Sequence, residues 1–361
     1  MQSAWPSLAG KSVFLTGHTG FKGSWLALWL HQLGANVSGY ALDPPSSISN
    51  FTVSGIGDLL VDDVRADVRD SDRLVQAIGR AKPDVVFHLA AQPIVLASLR
   101  APRETFDVNV MGTLNLLEAV RELDQPCAVL VITSDKCYRN DGDVWGLRES
   151  DPLGGSDPYS ASKAGAELVV EAYRASYFSH ERSADPGIRL ASVRAGNVIG
   201  GGDWADDRIV PDAVRALAAG QPLIVRNPAS TRPWQHVLEP LSGYLSLASH
   251  LLGDDPHAWA QAWNFGPLAT AEASVAALAD AVVDQWGSGR WESEAGMAPH
   301  LEAKTLRISI DKAVTLLGWR PRWDFDETVR RTVAWYRTYY EAPSTEMRKV
   351  CLSDIEAYES S

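Results

Sequence analysis

Cysteine is scarce in this chain: three in 361 residues, Cys127, Cys137 and Cys351. So sparse and odd a count excludes a disulfide scaffold and fits a reducing compartment. Basic residues are outnumbered, 33 Lys and Arg against 45 Asp and Glu, for a net charge of −12. That deficit argues against a general nucleic-acid binder, which needs a basic footprint. It does not argue against a small anionic ligand, which needs only a few local cations. A membrane span is also lacking. Residues 24–42 carry no formal charge over nineteen positions, but His31, Gln32 and Asn36 interrupt them and Gly34 stands where a helix would stop. The stretch reads as a helix end, a glycine turn and a buried strand rather than a span. The first eleven residues have no basic stretch followed by an apolar core, so no signal peptide is expected. There is no internal repeat or low-complexity tract, and no metal site is read. The expectation is a soluble, cytoplasmic protein.

What is present is an alternation. Short apolar runs at 11–16, 36–42, 84–89, 128–133 and 189–195 alternate with helical patterns at 20–33, 71–81, 105–123 and 158–177. Continuous apolar strands alternating with helices predict an α/β fold, a doubly wound parallel sheet covered on both faces. After about Gly200 the rhythm breaks. Pro211, Pro222, Pro228, Pro233 and Pro240 punctuate the chain, and shorter helices are expected at 210–219, 239–252, 273–286, 309–317 and 326–340. The spacing divides the chain into a dinucleotide-binding core, 1–200, and a smaller substrate lobe, 201–361, with the chain crossing back to the core. The last twenty residues are polar and charged and read as a loosely packed tail.

The first strand runs into Gly17, His18, Thr19, Gly20, Phe21, Lys22 and Gly23 before a helix. Glycines there allow a tight turn and a close approach of backbone N–H groups to a pyrophosphate, with the helix N-terminus adding its dipole. The spacing is G-x-x-G-x-x-G, not G-x-G-x-x-G. Asp43 follows the second strand, where a carboxylate would bind the ribose hydroxyls and repel a 2′-phosphate. No Arg stands beside it in the sequence, so NAD is favoured over NADP. Asp67, with Val68 next to it, is similarly placed after a third strand and is read as adenine-facing, or as a helix cap.

Asp157 and Pro158 suit the start of a helix. Tyr159 and Lys163, four apart, share one face of it. An ammonium beside a phenol favours phenolate, so the pair is expected to lower the Tyr159 pKa and make it a base for a sugar hydroxyl.

The segments 16–23 (TGHTGFKG) and 88–92 (HLAAQ), with Asn109, Ser134 and the Tyr159/Lys163 pair, resemble the extended short-chain dehydrogenase/reductase family. The resemblance implies a Rossmann-type fold, with Leu89, Ala90, Ala91, Gln92, Asn109 and Thr133 beside NAD. It implies Ser134 near the substrate hydroxyl, Lys163 on the nicotinamide ribose, and a homodimer through helices 105–123 and 158–177.

Directly after Ser134 stand Asp135 and Lys136, where sugar-nucleotide 4,6-dehydratases carry an acid/base pair. Asp-Lys in this place, with 90–93 (AAQP), 192–204 (SVRAGNVIGGGDW), 226–242 (RNPASTRPWQHVLEPLS) and 263–267 (WNFGP), resembles the CDP-glucose branch of those enzymes. The resemblance weakens in the last twenty residues and at 290–298. It implies that Tyr159 deprotonates the 4-hydroxyl, Lys136 (as neutral amine) takes the C5 proton and Asp135 protonates the departing 6-hydroxyl. The product would be CDP-4-keto-6-deoxy-D-glucose, a precursor of deoxysugars for surface polysaccharide such as lipopolysaccharide O-antigen. For the substrate it implies Arg232 on the pyrophosphate and Asn197 on phosphate or sugar, with Arg208, His236 and His300 nearby. Two alternatives stay open: a 4-epimerase or another NAD-dependent dehydratase of the family, and a non-catalytic dinucleotide sensor.

Overall fold

The structure, a computed structural model, describes residues 5–142, 145–179, 187–268, 272–293 and 306–361. Apolar strand runs with no solvated face must be covered on both sides. They form β1 (Ser12–Thr16), β2 (Asn36–Ala41), β3 (Asp62–Arg65), β4 (Val85–His88), β5 (Cys127–Ile132) and β6 (Ile188–Ala195). Short pieces follow: β7 (Val198–Ile199), β8 (Leu223–Val225), β9 (Thr231–Pro233) and β10 (Gln235–His236). Next comes β11 (Ala262–Phe265), then β12 (Glu272–Ser274) and β13 (Trp291–Ser293). The main sheet is parallel throughout, in the order β11-β6-β5-β4-β1-β2-β3. The chain reverses direction across the sheet between β1 and β4, the place where open α/β sheets bind ligands.

The helices are α1 (Phe21–Gln32), α2 (Asn50–Val53), α3 (Ser71–Ala81), α4 (Val95–Arg100), α5 (Pro102–Phe106), α6 (Gly112–Arg121) and α7 (Pro158–Ser176). In the second half come α8 (Ile209–Ala218), α9 (Leu238–Leu251), α10 (Val275–Trp286), α11 (Phe325–Glu341) and α12 (Met347–Glu359). One core packs Trp25 and Trp29 of α1, Leu241 and Tyr244 of α9, and Trp335 of α11 with the sheet. The other packs Leu74 and Ile78 of α3, Leu116 and Val120 of α6, and Val170 of α7 against it. Among the described residues, no helix is long and apolar enough to cross a membrane.

Three expectations fail in instructive ways. The helix expected over 105–123 is broken: a π-helical turn, Asp107–Met111, separates α5 from α6. Periodicity cannot reveal such a turn, which is a single-turn insertion common at functional positions. The helix expected over 309–317 shrinks to a π-helical turn, Ala313–Leu317. The C-terminal tail is not loose. It forms α12, with Met347, Cys351, Ile355 and Tyr358 buried in the large core. Those four positions follow helical spacing, and the charged residues between them hid it. Tyr358 packs edge-on to Trp29 and to Trp323, and Trp29 Nε1 donates to Glu359 at 2.7 Å.

Candidate active site

The segments singled out in the first two hundred residues meet at the carboxyl ends of the strands. After β1, Gly17 sits at φ +74. A Cβ there would lie 2.7 Å from Ala90 N, on the turn that leaves β4. A Cβ on Gly23 would lie 2.1 Å from Gly17 O. No side chain can occupy either position, so the loop leaves a backbone cradle at the start of α1, as a bound diphosphate requires. Thr19 Oγ1 ties the loop to Leu42 O at 3.0 Å, and Ala90 N donates to Thr16 Oγ1 at 3.2 Å.

His18 and Asp67 are each held by a charged partner. The His18 ring is buried beneath the cradle, with Nε2 2.8 Å from Asp63 Oδ1, and burial holds its pKa below the ordinary value. Asp67 is held by Arg69, at 2.6 Å from its guanidinium, and Val68 packs against Gly112. Asp43 is well exposed at the end of β2. An arginine does stand near it, contrary to the sequence reading: Arg65, at the end of the neighbouring β3, lies 3.9 Å from Asp43 and 2.7 Å from Asp63. Strand pairing brings it there from a distance in the chain that adjacency cannot show.

Asn109 is buried in the π-helical turn rather than open to the cleft. Its Oδ1 accepts from Gln92 N at 2.8 Å, and its Nδ2 donates to Gln92 O at 3.1 Å and to Ser162 Oγ at 2.8 Å. It ties Ala90, Ala91 and Gln92 to the helix that carries Tyr159.

After β5, Ser134 caps a 3₁₀ turn, Asp135–Cys137; its Oγ accepts from Lys136 N at 3.2 Å and lies 3.0 Å from Asp135 Oδ1. Ser134 also shares a hydrogen bond with the Tyr159 hydroxyl. Asp135 is 3% exposed, and burial raises its carboxyl pKa against the opposing pull of Lys136, Ser134, Lys22 and Arg232. Lys136 is half-buried beside it.

Tyr159 departs from expectation. Burial pushes its phenol up to about 12, opposed by the Ser134 hydrogen bond and the Arg208 cation. Lys163 is pulled down to about 8 by burial and by the charge of Lys22, and its Nζ donates to Ile132 O at 3.4 Å. Helical spacing places the two side chains on one face, but desolvation outweighs the attraction the spacing suggests.

Behind this cluster lies a layer the sequence did not announce. Glu167, one turn beyond Lys163 on α7, forms a buried ion pair with Arg194 of β6 at 2.8 Å. Thr133 Oγ1 and Ser192 Oγ donate to the same carboxylate. His88, at the end of β4, bonds Thr16 Oγ1 at 2.8 Å, and burial and the Lys163 charge push it down to about 3. The ring is therefore neutral.

The second half adds cations. Arg208 pairs with Asp203 at 2.8 Å and faces Tyr159. Arg232, on β9, is 8% exposed and acts on Asp135. Asn197, half-buried, follows β6 and accepts from Gln235 N at 3.1 Å. His236 is misplaced by the sequence reading: it is fully buried between Trp25 and Trp323, with Nδ1 accepting from Leu238 N. His300 lies outside the described residues.

The profile of the family described as GDP-mannose 4,6 dehydratase matches residues 14–332. The CDP-glucose 4,6-dehydratase of Salmonella typhimurium is 49% identical over 331 residues, 91% of each chain. A dTDP-glucose 4,6-dehydratase of Xanthomonas campestris is 25% identical over 292 residues, 76% of this chain and 78% of that one. Among solved structures, an epimerase from Methanothermobacter thermautotrophicus aligns with a TM-score of 0.77 at 25% identity, over 96% of each chain. The dTDP-glucose 4,6-dehydratase of Streptomyces venezuelae, solved with NAD bound, shares the fold with a TM-score of 0.74 at 24% identity, over 92% of this chain and 99% of that one.

Proposed function

This chain belongs to the GDP-mannose 4,6-dehydratase family, within the extended short-chain dehydrogenases/reductases, and from that premise we propose that it converts CDP-D-glucose to CDP-4-keto-6-deoxy-D-glucose and water. The observation that carries this reading is the Asp135–Lys136 turn, set in one buried cluster with Ser134 and Tyr159. A 4-epimerase needs no elimination acid, and a sensor needs no such cluster. The CDP moiety rests on the 49% identity to the Salmonella enzyme.

The cofactor is NAD. Gly17 to Gly23 would hold its diphosphate, Asp43 the adenosine ribose, Ala90 to Gln92 the middle of the molecule and Lys163 the nicotinamide ribose. When bound it would supply the hydride acceptor for C4 and the hydride donor for C6. The Ser134 hydrogen bond and the Arg208 cation act against the burial that raises the Tyr159 phenol. Tyr159, hydrogen-bonded to Ser134, then takes the proton of the 4-hydroxyl. The 4-keto group acidifies C5, Lys136 removes the C5 proton, and Asp135 gives a proton to the 6-hydroxyl, which leaves as water. Arg232 and Arg208 bind the substrate diphosphate, a bidentate task that suits guanidinium, and Asn197 binds the phosphates or sugar. Residues 1–200 serve NAD and residues 201–361 mainly the sugar nucleotide.

The chain acts as a cytoplasmic homodimer that supplies deoxysugars for surface polysaccharide such as lipopolysaccharide O-antigen. Three free, buried cysteines support the reducing compartment. Exposed Phe106 at the end of α5, Met111 at the end of the π-helical turn and Leu168 in the middle of α7 support the dimer.

The test is incubation with CDP-, dTDP-, GDP- and UDP-hexoses and a search for an alkali-labile 4-keto product. It is expected with CDP-glucose; a 4-epimer, or no turnover with any of them, refutes the proposal.

A further inference from the structure

Glu167 of α7 and Arg194 of β6 take no part in the proton and hydride transfers, yet both are buried, 3% and 4% exposed, and paired at 2.8 Å. Desolvating two charges is expensive, so such a pair is weak evidence for stability by itself. Its polar partners point to another task. Glu167 lies two helical turns beyond Tyr159 and one beyond Lys163. That is about 12 Å along the axis from Tyr159, behind the cleft rather than in it. Its carboxylate accepts from Thr133 Oγ1, from Ser192 Oγ at 2.8 Å and from Arg194 Nη2 at 2.8 Å. The other terminal nitrogen of Arg194, Nη1, donates to the Tyr138 hydroxyl at 2.7 Å and to Glu149 O at 3.1 Å. The guanidinium also lies over the Tyr138 ring, 4.7 Å from its centre. The Tyr138 hydroxyl donates in turn to Asn264 Oδ1 of β11 at 2.7 Å.

Thr133 and Tyr138 bracket the catalytic turn. Thr133 precedes Ser134, and Tyr138 follows the Asp135–Cys137 turn that carries Asp135 and Lys136. The backbone of the turn adds a bond from Cys137 N to Ser134 O at 3.2 Å and one from Gly154 N to Cys137 O at 2.8 Å. A single 3₁₀ turn has poor internal hydrogen-bond geometry, so its placement depends on what holds its ends. Glu167 holds the entry through Thr133, Arg194 holds the exit through Tyr138, and the ion pair joins the two holds.

Resting on the dehydratase reading above, we propose that Glu167 and Arg194 are positioning residues of the elimination step, a clamp on both ends of the turn that keeps Asp135 and Lys136 in register with Tyr159 and Lys163. Two sets of groups must act on one bound sugar. Tyr159 and Lys163 serve C4 from α7, whereas Asp135 and Lys136 serve C6 and C5 from the turn after β5. Glu167 belongs to the helix of the first set and, through Arg194 and Tyr138, fixes the second set against it. The planar fork of arginine lets one side chain hold Glu167 and Tyr138 together, which an ammonium on a flexible stem does not match.

The experiment uses the full enzyme with CDP-glucose. It compares wild type with Tyr138→Phe, Arg194→Lys, the two combined, and Glu167→Gln. Rates are taken per NAD-loaded site, with reduced nicotinamide followed during turnover and thermal midpoints measured alongside. Tyr138→Phe removes one hydroxyl at the exit of the turn and leaves the ion pair in place. It is expected to keep KM for CDP-glucose and NAD occupancy. Its kcat should fall by about 10-fold, against about 10²-fold for a displacement of a full 1 Å. Reduced nicotinamide should accumulate, because Ser134 still bonds Tyr159 and the first hydride transfer outruns elimination. Arg194→Lys should show the same split, and the combined variant should lose little more, as expected for one network. Glu167→Gln leaves a buried guanidinium unpaired and is expected to be the least stable; if it does not fold, the other variants decide. Wild-type kcat per site in Tyr138→Phe and Arg194→Lys, or a loss of thermal stability alone, would make the pair structural and overturn the proposal. So would a fall in kcat without reduced nicotinamide, or a change confined to KM. A wild type that forms no 4-keto product overturns the dehydratase reading itself.

Discussion

A carboxyl that keeps its proton inside a cleft can donate it, and a lysine can accept one only after losing its own. Burial raises the Asp135 carboxyl, the direction an acid needs, and Lys136 stands next to it on the same turn of chain. Replacing Lys136 by Met should spare the first hydride transfer and stop the reaction there. Reduced nicotinamide would accumulate, and no solvent deuterium would enter C5. Near-normal turnover of the variant would remove Lys136 from the role of base. These residues are legible in the sequence because they lie in short contiguous motifs. The misreadings share a cause: a side chain's direction is set by elements the motif does not contain. His236 sits four residues from Arg232, but its strand turns it into the core between two tryptophans. Arg65 is far from Asp43 in sequence and is brought alongside it by the pairing of β2 with β3. The Tyr159–Lys163 spacing is right, whereas its electrostatic consequence depends on burial, which spacing cannot report.

At the scale of elements, the sheet strands and the long helices are legible because their apolar periods are strong. The π-helical turn at Asp107–Met111 is not, because a single residue of slippage leaves the pattern almost intact, yet it is what turns Asn109 inward. The C-terminal helix is held by contacts from distant parts of the chain. Glu239, fully buried at the start of α9, accepts from Trp323 N at 2.7 Å, from Arg322 N at 3.0 Å and from the Tyr358 hydroxyl at 2.6 Å. Burial pushes Glu239 up to about 7. The folded state thus holds a proton that the unfolded state releases near pH 4.3. Its contribution is complete below that pH and is lost as pH rises through about 7. The loss is on the order of 3 kcal/mol. Asp354 of α12, raised by burial to about 6, acts in the same direction. Thermal unfolding at pH 5 and pH 8 should show lower stability at pH 8, and Glu239→Gln should flatten the difference. An unchanged slope in that variant would place the effect elsewhere.

Over the whole molecule, a chain of net charge −12 gathers Lys22, Lys136, Lys163, Arg208 and Arg232 around one cleft, against Asp135 and Asp203. An acidic surface with a basic pocket suits a diphosphate ligand and excludes a polyanion that needs an extended footprint. The alternating first half made the doubly wound sheet legible. The return of the chain to form β11 beside β6 was less so, because loops rich in proline separate it from the rest of the sheet. At this scale Leu168→Arg, on the exposed face of α7, should convert the proposed homodimer to a monomer in sedimentation or light scattering while leaving the fold intact. A variant that stays dimeric would direct attention to another surface.

The central claim is that hydride leaves C4 and returns to C6 of the same sugar. CDP-glucose carrying deuterium at C4 tests it directly, in ordinary water, with the product read by NMR. The account predicts a 4-keto-6-deoxy product with the deuterium in its C6 methyl group. Deuterium retained at C4 in a CDP-hexose, with no methyl group formed, would contradict it.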